Sequence, residues 1–258
     1  MENASLMLNR LKQKFIARMC SGAMASFRKT PVRLCPEDIR NLKMSFSQHG
    51  EDLLLLDHLP LRQDTPRGIY IDAGCYDPFR YSNTRLLNLH GWHGINIDAA
   101  SDVIELFQKV RPGDYNVCSA LSDKVEERTF IGKKGMASRR LLRHEDQNSP
   151  EDETAEKVRT TTLAAVLESS PFRSEAVDVL DIDCELHDLA VLRGFPFHKT
   201  RPVLVCIEAH SAEESGACQE VLSGIGYLKI ATRGPTLIFR DKESIPSSLP
   251  WYARMAEL

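Results

Sequence analysis

The chain alternates two hydrophobic patterns. Short apolar, β-prone runs at Ile69–Asp72, Gly94–Asp98, Tyr115–Ala120, Val177–Asp183 and Val203–Glu208 show little polar alternation, as strands do when a parallel sheet is covered on both faces. Between them lie stretches with helical spacing, "SNTRLLNLHGW" from Ser82 and "SDVIELFQKV" from Ser101, the latter closed by Pro112 and Gly113. Upstream, "FSQHGEDLLLLDHL" from Phe46 passes from a polar segment into a leucine-rich helix. Such alternation calls for parallel strands joined by right-handed crossovers. The last stretch differs: "GYLKIATRGPTLIFRD" from Gly226 holds two β-rich runs joined by Arg233, Gly234 and Pro235, a hairpin signal. The pattern predicts a Rossmann-like α/β fold: a mostly parallel seven-stranded sheet with a C-terminal antiparallel hairpin, flanked by helices.

Two segments stand outside that pattern. In residues 1–43, Leu8, Leu11, Phe15 and Met19 recur at helical spacing, and Leu6 to Arg33 holds basic but no acidic residues, which predicts a basic amphipathic helix. Packing on the domain is the plain reading. A basic face also suits peripheral contact with an anionic membrane, and the acid-poor composition is shared with organellar transit peptides. Residues 44–258 then form the α/β domain. Within it, 132–159 is polar, with "RRLLRH" followed by "EDQNSPEDETAE"; a flexible loop over the site and a solvated insertion are equally compatible with that composition.

Composition narrows the function. The 258 residues are 42% hydrophobic with a formal charge of −3, so core material is ample and no basic excess points to nucleic acid. No apolar run is long enough to span a bilayer. Seven cysteines without a Cys-x-x-Cys pair read as reduced thiols, and the first residues lack a secretory signal, so a cytoplasmic protein is expected.

Candidate chemistry sits where the strands end. The first run stops at Asp72, Ala73 and Gly74, and Asp98 ends the next, near the spacing at which an acidic residue reaches a ribose hydroxyl. Both belong on the edge where open α/β sheets bind nucleotide-like ligands. The loop has a single glycine, with Tyr76, Asp77, Pro78 and Phe79 following, and so lacks the glycine-rich cradle that phosphates need. S-adenosylmethionine carries no phosphate but does carry an ammonium and a sulfonium, which suit the carboxylates of Glu51, Asp52, Asp72 and Asp77. The structural alternative is that Asp72 and Asp77 only cap the next helix. Asp183 and Glu185 end the fourth run, followed by His187, and Glu208 and His210 end the fifth; in a parallel sheet these share the rim of Asp72 and Asp98.

The order of "FSQHGEDLLL", "IDAGCYDPFRYSNT", "GWHGINID", "NVCSALSD", "RTTTLAAVL", "VDVLDIDCELHDLAVLRGF", "RPVLVCIE" and "GYLKIATRGPTLIFR" resembles the FkbM-type S-adenosylmethionine-dependent methyltransferases from Phe46 to Asp241. The resemblance implies cofactor binding near Gly50, Glu51, Asp52, Asp72, Gly74, Asn83, Thr84, Asp98 and Ser119, Ala120 and Leu121. It implies a functional rim at Asp183, Glu185 and Glu208, and a small-molecule, glycan or lipid acceptor methylated on a hydroxyl. His187, Asp183 or Glu185 would accept the hydroxyl proton, with a Mg²⁺ held by Asp183, Glu185 and Glu208 as a second route. The chain departs from the family at Leu186, where glycine is usual. Leu189 and Leu192 continue its face at spacings of three, so Leu186 is expected to enter the helix in right-handed geometry and pack near the acceptor. A cofactor-binding but inactive protein and an NAD-dependent oxidoreductase are the competing readings.

Overall fold

The computed structural model of the chain describes residues 14–15, 35–59, 68–133, 138–142 and 154–244. The basic helix expected between Leu6 and Arg33 lies outside these, apart from 14–15. The chain divides into two compact units, 1–44 and 45–258. In the first, helix α1 (Pro36–Asn41) is preceded by Cys35, whose N–H donates to Asp38 Oδ2 at 2.7 Å.

The second unit carries, in order, α2 (Glu51–His58), β1 (Ile69–Ala73), α3 (Arg85–Leu89), β2 (His93–Asp98), α4 (Ser101–Val110), β3 (Tyr115–Cys118), β4 (Ala120–Leu121), β5 (Glu127–Ile131) and β6 (Arg140–Leu141). Then come β7 (Glu156–Thr161), α5 (Leu163–Ser169), β8 (Val179–Ile182), α6 (Asp188–Arg193), β9 (Leu204–Glu208), α7 (Ala212–Gly224), β10 (Tyr227–Arg233) and β11 (Thr236–Asp241). Seven strands form one sheet in the order β10-β11-β9-β8-β1-β2-β3. Neighbours from β9 to β3 run parallel, while β11 pairs antiparallel with both β9 and β10.

Why this sheet is central follows from its strands. Every residue of β1 and β8 is buried, and alternate side chains feed different layers. Ile69, Ile71, Leu180, Ile182, Val205 and Ile207 share one core with α5 and α7, while Tyr70, Val179, Leu204 and Cys206 share another with Leu55 and Leu59 beside α3. Crossover helices start on cues in the sequence: the Thr162 hydroxyl accepts from Ala165 N–H, and the Ser211 hydroxyl from Glu214 N–H, satisfying donors the first turn leaves open.

The expectation of one mostly parallel seven-stranded sheet needs correction: the described residues hold eleven strands, and the pairing is mixed. A second, four-stranded sheet, β4-β7-β5-β6, was not anticipated. The run read as one strand from Tyr115 to Ala120 breaks at Ser119, whose N–H donates to the Asp98 carbonyl at 2.9 Å; β4 beyond it joins the second sheet. Part of the polar 132–159 stretch supplies β6 and most of β7. Among the described residues no helix is long and apolar enough to cross a membrane.

Candidate functional site

Strand order reverses between β1 and β8, so the chain segments leaving their carboxyl ends diverge and open a crevice. Gly74 sits at its base. Its φ is +87°, and a Cβ there would fall 1.7 Å from the Asp183 carbonyl oxygen; no side chain fits. The Gly74 and Cys75 N–H groups both donate to the Ile97 carbonyl, at 2.8 and 3.2 Å, and Asp183 N–H donates to Ala73 at 2.9 Å. Three strand ends are thereby fastened together beneath a cavity of about 530 Å³.

Carboxylates dominate one side of that cavity. Asp98 Oδ1 accepts from Ala100 N–H at 2.8 Å and Oδ2 from Tyr76 N–H at 3.3 Å. Burial raises its pKa, with those N–H groups and Arg139 opposing. Asp72 and Asp181 are register partners on adjacent strands, so they point to the same face. Burial raises both; Asp72 presses Asp181 well above the ordinary carboxylate range, while Asn83 Nδ2 donates to Asp181 Oδ1 at 3.0 Å. Asp72 is held down by Arg111 and by a hydrogen bond from the Thr84 hydroxyl. The buried Arg111 guanidinium donates to Thr84 Oγ1 at 2.8 Å, Ser82 Oγ at 3.0 Å and the Pro78 carbonyl at 2.9 Å. It therefore fixes both the loop over the cavity and the hydroxyl that steadies Asp72.

At the opposite rim, Asp183 and Glu208 are neighbouring carboxyls close enough to share a proton. Asp183 shows its carboxyl to the open cavity and is exposed there, yet it is recessed in the protein. That surrounding protein, the bond to Glu208 and the nearby Glu185 and Asp72 push its pKa well up. Glu208 is raised by burial, with the bond from Asp183 opposing. Of the two, Asp183 is thus the carboxyl pushed further toward its protonated form. Glu208 Oε2 also lies 3.0 Å from His210 Nε2, and His210 is held by its own N–H to Glu214 Oε2 at 3.0 Å. Glu185 lines the same rim; burial raises its pKa while His210 and Arg140 lower it. His187 Nε2 shares a 3.0 Å hydrogen bond with Ser122 Oγ, so that nitrogen already has a partner.

The turn after Glu185 differs from expectation. Glu185 and Leu186 have φ of +48° and +72°, left-handed conformations that cost L-residues roughly 1–2 kcal/mol each. Leu186 does not enter the helix, which begins at Asp188, and its side chain does not line the main cavity. Cys184 N–H donates to Asp188 Oδ1 at 2.7 Å, closing a tight turn before α6 that Glu185 and Leu186 complete in left-handed geometry.

Of the residues expected at the site, Asp72, Gly74, Asn83, Asp98, Ser119, Ala120, Leu121, Asp183, Glu185, His187 and Glu208 all line the cavity. Gly50, Glu51, Asp52 and Thr84 do not; they stand behind it. Gly50 caps α2 with φ +82°. Glu51 accepts from His49 N–H at 2.7 Å, and Asp52 ties Ser45 Oγ, Phe46 N–H and Ser47 Oγ at 2.6–2.8 Å. Both buried carboxylates thus shape the segment that carries Gln48 and His49 to the cavity wall. The sequence reading missed Asp181, Arg111 and the roof of Phe130, Arg139 and Arg140. Asp181 was findable: two residues before Asp183 in a strand, it shares its face. Arg111 gave no signal, being one more arginine at a helix end.

Among the described residues no three His, Cys, Asp or Glu side chains gather in metal-ligating geometry. No curated protein matches the chain. A solved structure of a TehB-like SAM-dependent methyltransferase from Corynebacterium glutamicum is 12% identical, covering 80% of this chain and 95% of that one, with a TM-score of 0.37; a likeness that weak carries no argument. The family model for the methyltransferase FkbM domain matches residues 72–229, which spans the strand ends at Asp72, Asp98, Asp183 and Glu208. The chain belongs to the FkbM methyltransferase family.

Proposed function

We propose that the protein is an S-adenosylmethionine-dependent methyltransferase acting on a hydroxyl group of a small-molecule, glycan or lipid acceptor. One observation carries this reading: the crevice at the strand reversal is rimmed by carboxylates and has a single bare-glycine turn. That donor set fits the cofactor, whose ammonium and sulfonium are cationic, and gives no cradle for a dinucleotide's phosphates. The bound cofactor supplies an electrophilic methyl group.

The chain's own residues do the rest. Asp98, already accepting two backbone N–H groups, keeps lone pairs for the ribose hydroxyls. Asp72 and Asp181 offer negative charge to the ammonium, with Arg111 and Thr84 holding Asp72 in position. The Asp183–Glu208 pair, through the Glu208 carboxylate, accepts the proton of the acceptor hydroxyl, a contribution of roughly 10²–10⁴-fold. His210, whose Nε2 lies 3.0 Å from Glu208 Oε2, orients that carboxylate. Leu186 keeps the left-handed course that glycine takes easily, and this supports turnover over a site that only binds.

Calorimetry with S-adenosylhomocysteine tests the reading. Asp98→Ala is expected to weaken binding at least tenfold, since a hydrogen bond to a charged group is worth about 1.5–3 kcal/mol. Unchanged affinity in a folded variant would refute the cofactor assignment.

A further inference from the structure

A second cavity, of about 260 Å³, lies against the first. Glu208 and His187 line both and form the wall between them. The second cavity has an apolar part, walled by Leu186, Leu189, Ala190 and Cys218, and a charged border of Asp188, Arg193 and Glu214. The strained turn explains the division. Two successive left-handed residues send Glu185 into the main cavity and Leu186 into the second, and strain of this kind gathers where a binding geometry demands it.

We propose that the second cavity seats the apolar part of the methyl acceptor, so that the substrate is an alcohol whose carbinol carbon bears an alkyl chain or apolar ring. The inference rests on the methyltransferase reading and deepens it. A ligand spanning the wall places its hydroxyl at Glu208, beside Asp183, while its apolar part is packed by Leu186 and Leu189. The volume is ample, since an apolar cavity of about 150 Å³ already holds benzene. The charged border favours an amphipathic ligand over a plain hydrocarbon, and the apolar wall disfavours a free sugar.

The test uses the primary alcohols from 1-butanol to 1-hexanol, titrated into the full chain with and without saturating S-adenosylhomocysteine and followed by methyl NMR. Affinity is expected to rise about fourfold for each added methylene, the fold-change of about 0.8 kcal/mol per buried CH₂, with shifts at the Leu186 and Leu189 methyls. Ala190→Trp, which fills the cavity, should abolish alcohol binding and leave S-adenosylhomocysteine affinity unchanged; Leu189→Trp serves if that variant does not fold. Affinity that is flat with chain length, shifts confined to Ile97 and Leu121 of the main cavity, or indifference to the filling variants would overturn the proposal. Failure of S-adenosylhomocysteine to bind the unaltered protein would instead refute the cofactor reading, and the alcohol series on the free protein would still decide this one.

Discussion

Leu186 shows how a single residue departs from its sequence environment. Neighbours at helical spacing argue for a helical leucine, yet the closure of the turn by the Cys184–Asp188 hydrogen bond prevails over that local preference. The energetic sign reverses with it. A helical leucine replaced by glycine would lose about 1 kcal/mol; at φ +72° the replacement relieves strain. Leu186→Gly is therefore expected to raise stability by up to about 1 kcal/mol, read as a higher urea midpoint at constant slope. A lower midpoint would mean that the leucine's packing outweighs its backbone strain. Asp188, one turn on, bears a different load. Burial lifts its pKa to about 7, so its folded value exceeds the unfolded one; the stability it contributes is present below about pH 4 and is lost as pH rises through 7. Asp188→Asn, which can still accept from Cys184 N–H, should leave stability below about pH 4 nearly unchanged and raise it progressively up to about pH 8. Parallel pH profiles for the two proteins would contradict this.

At the scale of elements, legibility followed burial. Four of the five parallel strands were readable as apolar runs covered on both faces, edge strand β3 being half-exposed, and the hairpin because Gly234 and Pro235 mark its turn. The second sheet was not. Its β7, Glu156–Thr161, is largely exposed and charged, and β4 and β6 are two residues each, so no hydrophobic period exists to detect. The site divided in the same way. Residues at strand ends were placed from the pattern, whereas the roof and Arg111 depend on tertiary packing that no local window contains. The Gly74 turn is the element on which the crevice depends. Gly74→Ala adds a Cβ where the Asp183 backbone stands, so β1 and β8 must part at their carboxyl ends. A loss on the order of 3 kcal/mol is expected, with S-adenosylhomocysteine binding abolished even in protein that remains folded; denaturation and calorimetry on one sample check both.

Across the whole molecule, charge and cofactor are linked. Asp72, Asp181 and Asp183 face one cavity with raised pKa values, so they hold protons to higher pH than ordinary carboxyls, and a cationic ligand displaces those protons. S-adenosylmethionine affinity should accordingly rise as pH rises above the ordinary carboxylate range, with proton release measurable as a dependence of binding heat on buffer ionisation enthalpy. Equal heats in all buffers would show that these carboxyls are already ionised. The position of Pro235 in the cavity wall has a consequence for how the protein is made. Strand β11 lies between β9 and β10, so the wall is complete only in a chain that contains residues 236–241. During synthesis Asp72 and Asp98 leave the ribosome long before those residues, as parts of a sheet without a ligand site. A chain that stops short of residue 236 is therefore expected to gain no stability from S-adenosylhomocysteine, in contrast to the full domain.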